Sequence, residues 1–581
     1  MGSTVAAQPA VSGKNISPAP PEDMGRHRYL VVLAATICFA AFTYCSLAAF
    51  WPKFSRAEVF FAECAREMIV SNNYVTPLYH KQPFFDKPIL VYWLIISMFK
   101  LFGLSHFAAR IPSIACALGT LLLTGAGCTA LYGRRSGLIA ASTLATSFMF
   151  LSFASLCMSD MLLVFFDSLT LGLLYIGIQN AKRRDWLWLC AAVSMGLAFL
   201  TKGPIGIVLP LATFFVFLLV TRQFGIISLR HAFLAVLTVA LVSSPWFAAV
   251  YRANGVQALL YFFVHENLQR FTGSQYDAGK PFWYTIMSLF YGFAPWSVFL
   301  PLALNQFIRS VRQDGLKPTV YASLFLWLWV FIGVGFFCFS RGKCDYYTLP
   351  TYPAAAILTA KFIKEQADQR SDVLKIILAV FAVAFLASSI GCYAILMSCA
   401  DATLMWWTVP VALLASGLAM LAVLAKNKYG ACLGISALGI AAAVILFSME
   451  VLPDIASMEP IGDYVRIVNT TPPETRIGVE EALHGWIDEI SFQTGRHPAT
   501  LTGASELNGF LRGPSTCLVL TSEDKLNQLS AGTRSHLNVL CRANVITHAL
   551  TPGYVIQHSG NLQDPIPVVM VATPGLESSK K

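Results

Sequence analysis

Windows of about 20 apolar residues recur from Tyr29 nearly to Pro453, and each is long enough to cross a hydrocarbon core of ~30 Å as a helix. In that medium every backbone N–H and C=O must be paired, so only helices and closed barrels cross, and apolar windows of this length fit helices. The charged fraction is 12% against 56% hydrophobic residues, far from soluble usage. The expected fold class is an α-helical polytopic membrane protein with a small external α/β domain at its C-terminal end. Only the two ends are polar enough for water.

Basic residues fix the expected orientation. They recur at every second loop: "YGRRSG" (132–137), "AKRRDW" (181–186), Arg222 with Arg230, Arg309 with Arg312 and Lys317, "KFIKEQADQR" (361–370) and "AKNKYG" (425–430). By the positive-inside rule these loops are cytoplasmic, which gives about thirteen spans and an external C-terminus. The net charge of +10 is explained by insertion, so nucleic acid is set aside as a partner. Residues 1–28 read as a disordered cytoplasmic tail without a signal-peptide cleavage pattern. Residues 29–453 form the membrane domain, and 454–581 the external domain.

The external side holds nearly all the acidic residues of the membrane half: Glu58, Glu63, Glu67, Asp86, Asp160, Glu266, Asp277 and Asp345. Insertion does not account for carboxylates at that face, so they are candidates for chemistry. Residues 53–88 make a first external loop too long to be a simple connection. In it "AEVFFAECAREMIV" has helical spacing, with Phe61, Ala65, Met68 and Ile69 on one side and Glu63, Arg66 and Glu67 off it. This predicts a helix lying in the membrane interface. Pro77, Pro83 and Pro88 then break regular structure.

Beyond Pro453, "RIGVEEAL", "STCLVLTS", "ANVITHAL" and "PVVMVAT" alternate as strands do, between helical stretches. Cys517 and Cys541 are a candidate disulfide pair if this region is external. No internal repeat is evident.

The ordered motifs "ECAREM", "FFDKPILVYWL", "FGLSHFAARIPS", "MSDMLLVFF", "FLTKGPIGIVLP", "FFVHENLQRF", "PFWYT", "APWSVFLP" and "GKCDYYTLPTYP" resemble the GT-C glycosyltransferases of the aminoarabinose transferase and protein O-mannosyltransferase type, over about residues 50–360. The resemblance implies the GT-C fold with thirteen spans and a soluble C-terminal domain. It implies transfer of a sugar from a polyprenyl (undecaprenyl) phosphate donor to lipid A, another envelope glycan or a protein, at the periplasmic face of a bacterial inner membrane. It gives Asp86 the family's place for a metal-binding acid, with Zn, Mg or Mn as the implied cofactor, and His265 stands near the family's Glu-His pair. Lys87, Lys202, Arg270 and Tyr347 fall where the family places groups around donor phosphate or lipid. Asp160 matches an acidic residue needed for activity.

This chain departs from the family pattern at two places. Ala57-Glu58 stands where the family has Asp-Glu, and Glu266-Asn267 where the aminoarabinose transferases have Glu-His. Read chemically, a lipid-linked sugar phosphate already has a good leaving group, so cations to hold the freed phosphate matter more than a general acid. Lys87, Lys202, Arg270 and Lys343 are the basic residues expected outside, and Arg binds phosphate oxygens in bidentate fashion. An acceptor hydroxyl needs a base within reach, and Glu58 is the first candidate. Two other classes fit parts of the pattern: a transporter or flippase of lipid-linked sugar, and an inactive relative that only binds it.

Overall fold

The computed structural model describes residues 24–51, 53–273, 280–398, 404–453, 461–513, 515–545 and 566–573. The chain falls into two compact units. One comprises residues 1–40, 116–152 and 160–374, the other residues 41–115, 153–159 and 375–581.

The helices run α1 (Arg26–Phe50), α2 (Arg56–Val70), α3 (Leu90–Phe102), α4 (His106–Tyr132), α5 (Arg134–Ala145), α6 (Phe148–Ala154), α7 (Asp160–Gln179), α8 (Arg184–Lys202), α9 (Ile205–Thr221) and α10 (Leu229–Leu260). Further helices include Tyr321–Phe339, Tyr352–Asp368, Asp372–Ser398, Thr408–Ala425 and Tyr429–Leu446. Among the described residues, eight helices are long and apolar enough to cross a membrane, or up to ten if each of two bent pairs is one span. The chain is thus multi-pass, and the figure of thirteen stays an expectation. In the first unit α7 packs along α8, α8 along α10, and the helix Tyr321–Phe339 along α9. A short helical segment, Asp345–Thr351, rests on α7 and on the helix Tyr284–Gly292.

The C-terminal part of the second unit is the expected α/β fold. Its sheet has strands β3 (Arg476–Glu480), β4 (Ala499–Leu501), β5 (Cys517–Ser522), β6 (Asn538–Val545) and β7 (Ile566–Ala572), in the order β4-β3-β5-β7-β6. The first three are parallel, and β7 is antiparallel to both its neighbours. Alternation sorts the side chains by face. Leu518, Leu520, Val568 and Met570 meet Val465, Val468, Ile487 and Ile490 of the helices Ile461–Thr470 and His484–Thr494. Cys517, Val519, Val569 and Val571 meet Leu507 and Leu511 of the helix Ala504–Leu511. A sheet covered on both faces needs apolar residues at consecutive positions, and "CLVL" supplies them. Strand β4 was not read from the sequence because three residues carry no period.

The disulfide expectation is corrected here. Cys517 on β5 and Cys541 on β6 are both free thiols, and β7 lies between their strands. Two ladder spacings of ~4.8 Å exceed the ~7 Å limit for a bridged pair.

The predicted loop helix is present as α2, but its polar side does not face water. Glu63 is 0% exposed, Arg66 6% and Glu67 5%, because α2 packs against α3 and the helix His484–Thr494. An amphipathic pattern marks a polar face without saying what covers it. The prolines do not abolish regular structure either. Strands β1 (Leu78–Tyr79) and β2 (Gln82–Pro83) form a small hairpin whose turn residues, His80 and Lys81, have φ of 50° and 63°. Such left-handed values are costly for non-glycine residues and persist only where neighbours hold them.

Candidate active site

In the first unit the antiparallel run of α7 and α8 brings the first residue of one helix beside the last of the other. Asp160 starts α7, where an anion is favoured by the helix dipole, and Lys202 ends α8, where a cation is. Lys202 Nζ donates to Asp160 Oδ1 at 2.5 Å, and the carboxylate is almost fully buried. The same ammonium lies over the rings of Tyr346 and Tyr347, at 5.3 and 5.5 Å, a cation–π arrangement. Burial pushes both phenols above their ordinary range, with the Asp160 charge adding to this for Tyr346 and the Arg270 charge opposing it for Tyr347. They are therefore neutral hydrogen-bond donors. Gly203 ends α8 with φ of 79°, and a Cβ there would lie 2.8 Å from the Phe262 ring, so only glycine fits this turn without strain.

Arg270 pairs with Glu266 at 3.3 Å while its own side chain stays partly exposed. His265 shares its Nδ1 with Glu266 Oε1 at 3.0 Å and stacks on Tyr261. Tyr347 also packs on Phe337, with ring centroids 4.6 Å apart. Lys343 is buried and donates to the Ser340 carbonyl, which suits a loop-fixing cation better than an exposed phosphate ligand. Lys202, Tyr346, Tyr347 and Arg270 thus form one cationic and aromatic cluster with Asp160 behind Lys202.

Asp167, two turns further along α7, was missed in the sequence reading. It is 1% exposed and neither carboxylate oxygen has a hydrogen-bond partner. The signal was available: a lone acid in "MLLVFFDSLTL".

In the second unit, Lys87 Nζ binds Asp86 Oδ2 at 2.8 Å and the Asp86 carbonyl at 3.1 Å, and both side chains remain partly accessible just before α3. Glu58 is different. It is 0% exposed, as is Arg110 on α4. Arg110 Nε donates to Glu58 Oε1 at 2.9 Å, while the backbone N–H groups of Cys157 and Ser55 donate at 2.8 and 2.9 Å. The other guanidinium nitrogens bind the carbonyls of Ala48, Trp51 and Lys53. A carboxylate so enclosed holds the start of α2 to α4. It cannot meet an acceptor hydroxyl without breaking this network, which speaks for a scaffold role against the expected role as catalytic base. Sequence reasoning could not see Arg110, which lies 52 positions away.

The residues implied as metal ligands were tested by their donors. Among the described residues, one group of three His, Cys, Asp or Glu side chains has its ligand atoms within 4.8 Å of one another: Glu63, Glu67 and His497. Neither Asp86 nor His265 belongs to such a group, and each is engaged by its sequence neighbour. Asp86 lies in the second unit and His265 in the first, and their joint role as metal ligands stays an expectation.

Residues 86–248 match the family model described as dolichyl-phosphate-mannose-protein mannosyltransferase. The chain is 31% identical over 308 residues to an undecaprenyl phosphate-alpha-4-amino-4-deoxy-L-arabinose arabinosyl transferase of Proteus mirabilis, covering 52% of this chain and 54% of the relative. It is 31% identical over 316 residues to the Pseudomonas aeruginosa transferase of the same name, covering 52% and 54%. The chain spans about half the length of the curated relatives it matches. Across 94% of this chain and 98% of the other, the structure matches ArnT from Cupriavidus metallidurans, crystallised with undecaprenyl phosphate, with a TM-score of 0.72 and 22% identity. The archaeal oligosaccharyltransferase AglB from Archaeoglobus fulgidus matches with a TM-score of 0.51 and 12% identity, covering 85% and 69%. The chain therefore has the GT-C fold.

Proposed function

We propose that this protein is a membrane-embedded glycosyltransferase that takes a sugar from an undecaprenyl-type phosphate carrier. The observation that carries the reading is the cluster of Lys202, Tyr346, Tyr347 and Arg270, in a fold that in ArnT accommodates undecaprenyl phosphate. In the reaction the acceptor oxygen attacks the anomeric carbon, and the bond from that carbon to the phosphate oxygen breaks. Negative charge grows on the departing phosphate. Lys202 and Arg270 neutralise it and the two phenols donate to it, which is stabilisation directed at the transition state. Asp160 holds the Lys202 ammonium in place.

The acceptor belongs to the class of lipid A, other envelope glycans or proteins, delivered at the periplasmic side of a bacterial inner membrane with the N-terminus in the cytoplasm. With Ala57 in place of the family's Asp and Glu58 enclosed, an acceptor that is already anionic, such as a phosphate oxygen, needs no base and suits this chain best. The same two residues support a second reading, a carrier-binding relative without turnover.

Purified protein supplied with labelled polyprenyl phosphate-sugars in acceptor-containing membranes tests both. Release of free polyprenyl phosphate, lost in Lys202→Met, is the expected result. Tight donor binding with no release would select the second reading, and neither binding nor release would reject both.

A further inference from the structure

One cluster outside the donor site is built from opposite ends of the chain. Glu63 and Glu67 sit one turn apart on α2, and His497 follows the helix His484–Thr494. Glu67 is 5% exposed. Its Oε2 accepts from the Lys81 N–H at 2.9 Å, yet Oε1 has no hydrogen-bond partner and points at His497 Nε2, 3.4 Å away. His497 Nδ1 is likewise buried and unpartnered. A buried polar atom left unbonded costs about 1–3 kcal/mol, and Glu67 Oε1 is such an atom aimed at the imidazole.

We infer that Glu63, Glu67 and His497 form a binding site for a divalent transition-metal cation of the zinc class, which staples the first external loop to the C-terminal domain. Two carboxylates and an imidazole are a hard-to-borderline donor set that suits Zn2+, and the imidazole disfavours Mg2+. In a tetrahedral site with bonds of about 2.0–2.1 Å, ligand atoms stand roughly 3.3–3.5 Å apart. The Glu67–His497 separation already has that value. With the whole group inside 4.8 Å, side-chain rotation alone closes the remainder, and a water completes the fourth position.

The surroundings are those of a supported site. Arg66 holds Glu63 by two bonds of 2.8 and 2.7 Å, and each carboxylate oxygen keeps a further lone pair for a cation. The Lys81 N–H fixes the Glu67 carboxylate with Oε1 outward.

The test uses the full-length protein in detergent, stripped with a chelator and titrated with Zn2+ alone. One equivalent should bind and raise the melting temperature, and Co2+ should give the spectrum of a low-coordinate N/O site. Glu67→Gln and His497→Gln should weaken binding by at least the ~10–100-fold that follows loss of a supporting partner. His497→Cys should restore it and thereby show that the fold survives change at this position. Asp86→Asn should bind as wild type. Absence of Zn2+ uptake by wild type overturns the inference, as does uptake unchanged in Glu67→Gln and His497→Gln or lost in Asp86→Asn.

Discussion

Replacing Arg110 by Met separates the two accounts of Glu58. The substitution strands a carboxylate that is 0% exposed with only the N–H groups of Ser55 and Cys157, and it removes the donor from the carbonyls of Ala48, Trp51 and Lys53. Breaking a buried ion pair from one side costs about 3–5 kcal/mol. At roughly 2–4 °C per kcal/mol for a cooperative unit of 150–250 residues, the melting temperature should fall by about 6–20 °C. Adding Glu58→Gln removes the stranded charge, so the double variant should regain part of the loss, with a coupling of about 0.5–3 kcal/mol. The assay is thermal unfolding in one detergent at one scan rate, since such unfolding is irreversible, alongside turnover per folded molecule. Glu58→Gln should lower stability and leave that turnover within a few-fold. If it instead kept its melting temperature and lost about 10²-fold or more in rate, the size expected for a general base, the scaffold role would be refuted.

Lys202→Met should lower kcat/KM for release of polyprenyl phosphate by about 10–150-fold, the equivalent of ~1.5–3 kcal/mol for a bond to a charged group; an unchanged value would remove Lys202 from the phosphate site. Glu489, buried in the helix His484–Thr494, would be raised by burial, but hydrogen bonds from His106, Gln493 and the Phe54 N–H lower its pKa overall. A depressed carboxyl contributes stability above its unfolded value of ~4.3 that is lost as pH falls through the lower folded value. Melting temperature should thus drop below about pH 4 in wild type and more shallowly in Glu489→Gln; identical slopes would contradict the assignment. Cys517 and Cys541 should be alkylated after denaturation without a reductant, and a reductant-dependent mobility shift traced to that pair would contradict the strand order.

What the sequence made legible follows from which signals are local. Apolar windows mark membrane helices because length and composition decide them, and "CLVL" and "PVVMVA" mark covered strands because a buried sheet needs apolar runs. Asp86-Lys87 and Asp160 stood out as charges at apolar edges, and the structure gives each a cationic or anionic partner. The pairing of Glu58 with Arg110 and that of Glu67 with His497 were invisible, because nothing near Glu58 or Glu67 in the chain encodes a partner 52 or 430 positions away. The cover over the polar side of α2 was invisible for the same reason: a polar face facing water and one facing another polar face have the same pattern. Asp167 was visible and overlooked.

The contacts that cover α2 also set an order of events. The Phe54 N–H is bound by Glu489, 435 positions later, and His80 by Asp488, 408 positions later. At ~5–20 residues per second of synthesis, the first loop waits about 20–90 s for the residues that bury its carboxylates. During that interval every later span has to insert, and Glu63, Arg66 and Glu67 keep α2 solvated until its partner arrives. The polar side of this helix therefore serves the unfinished chain as well as the finished one.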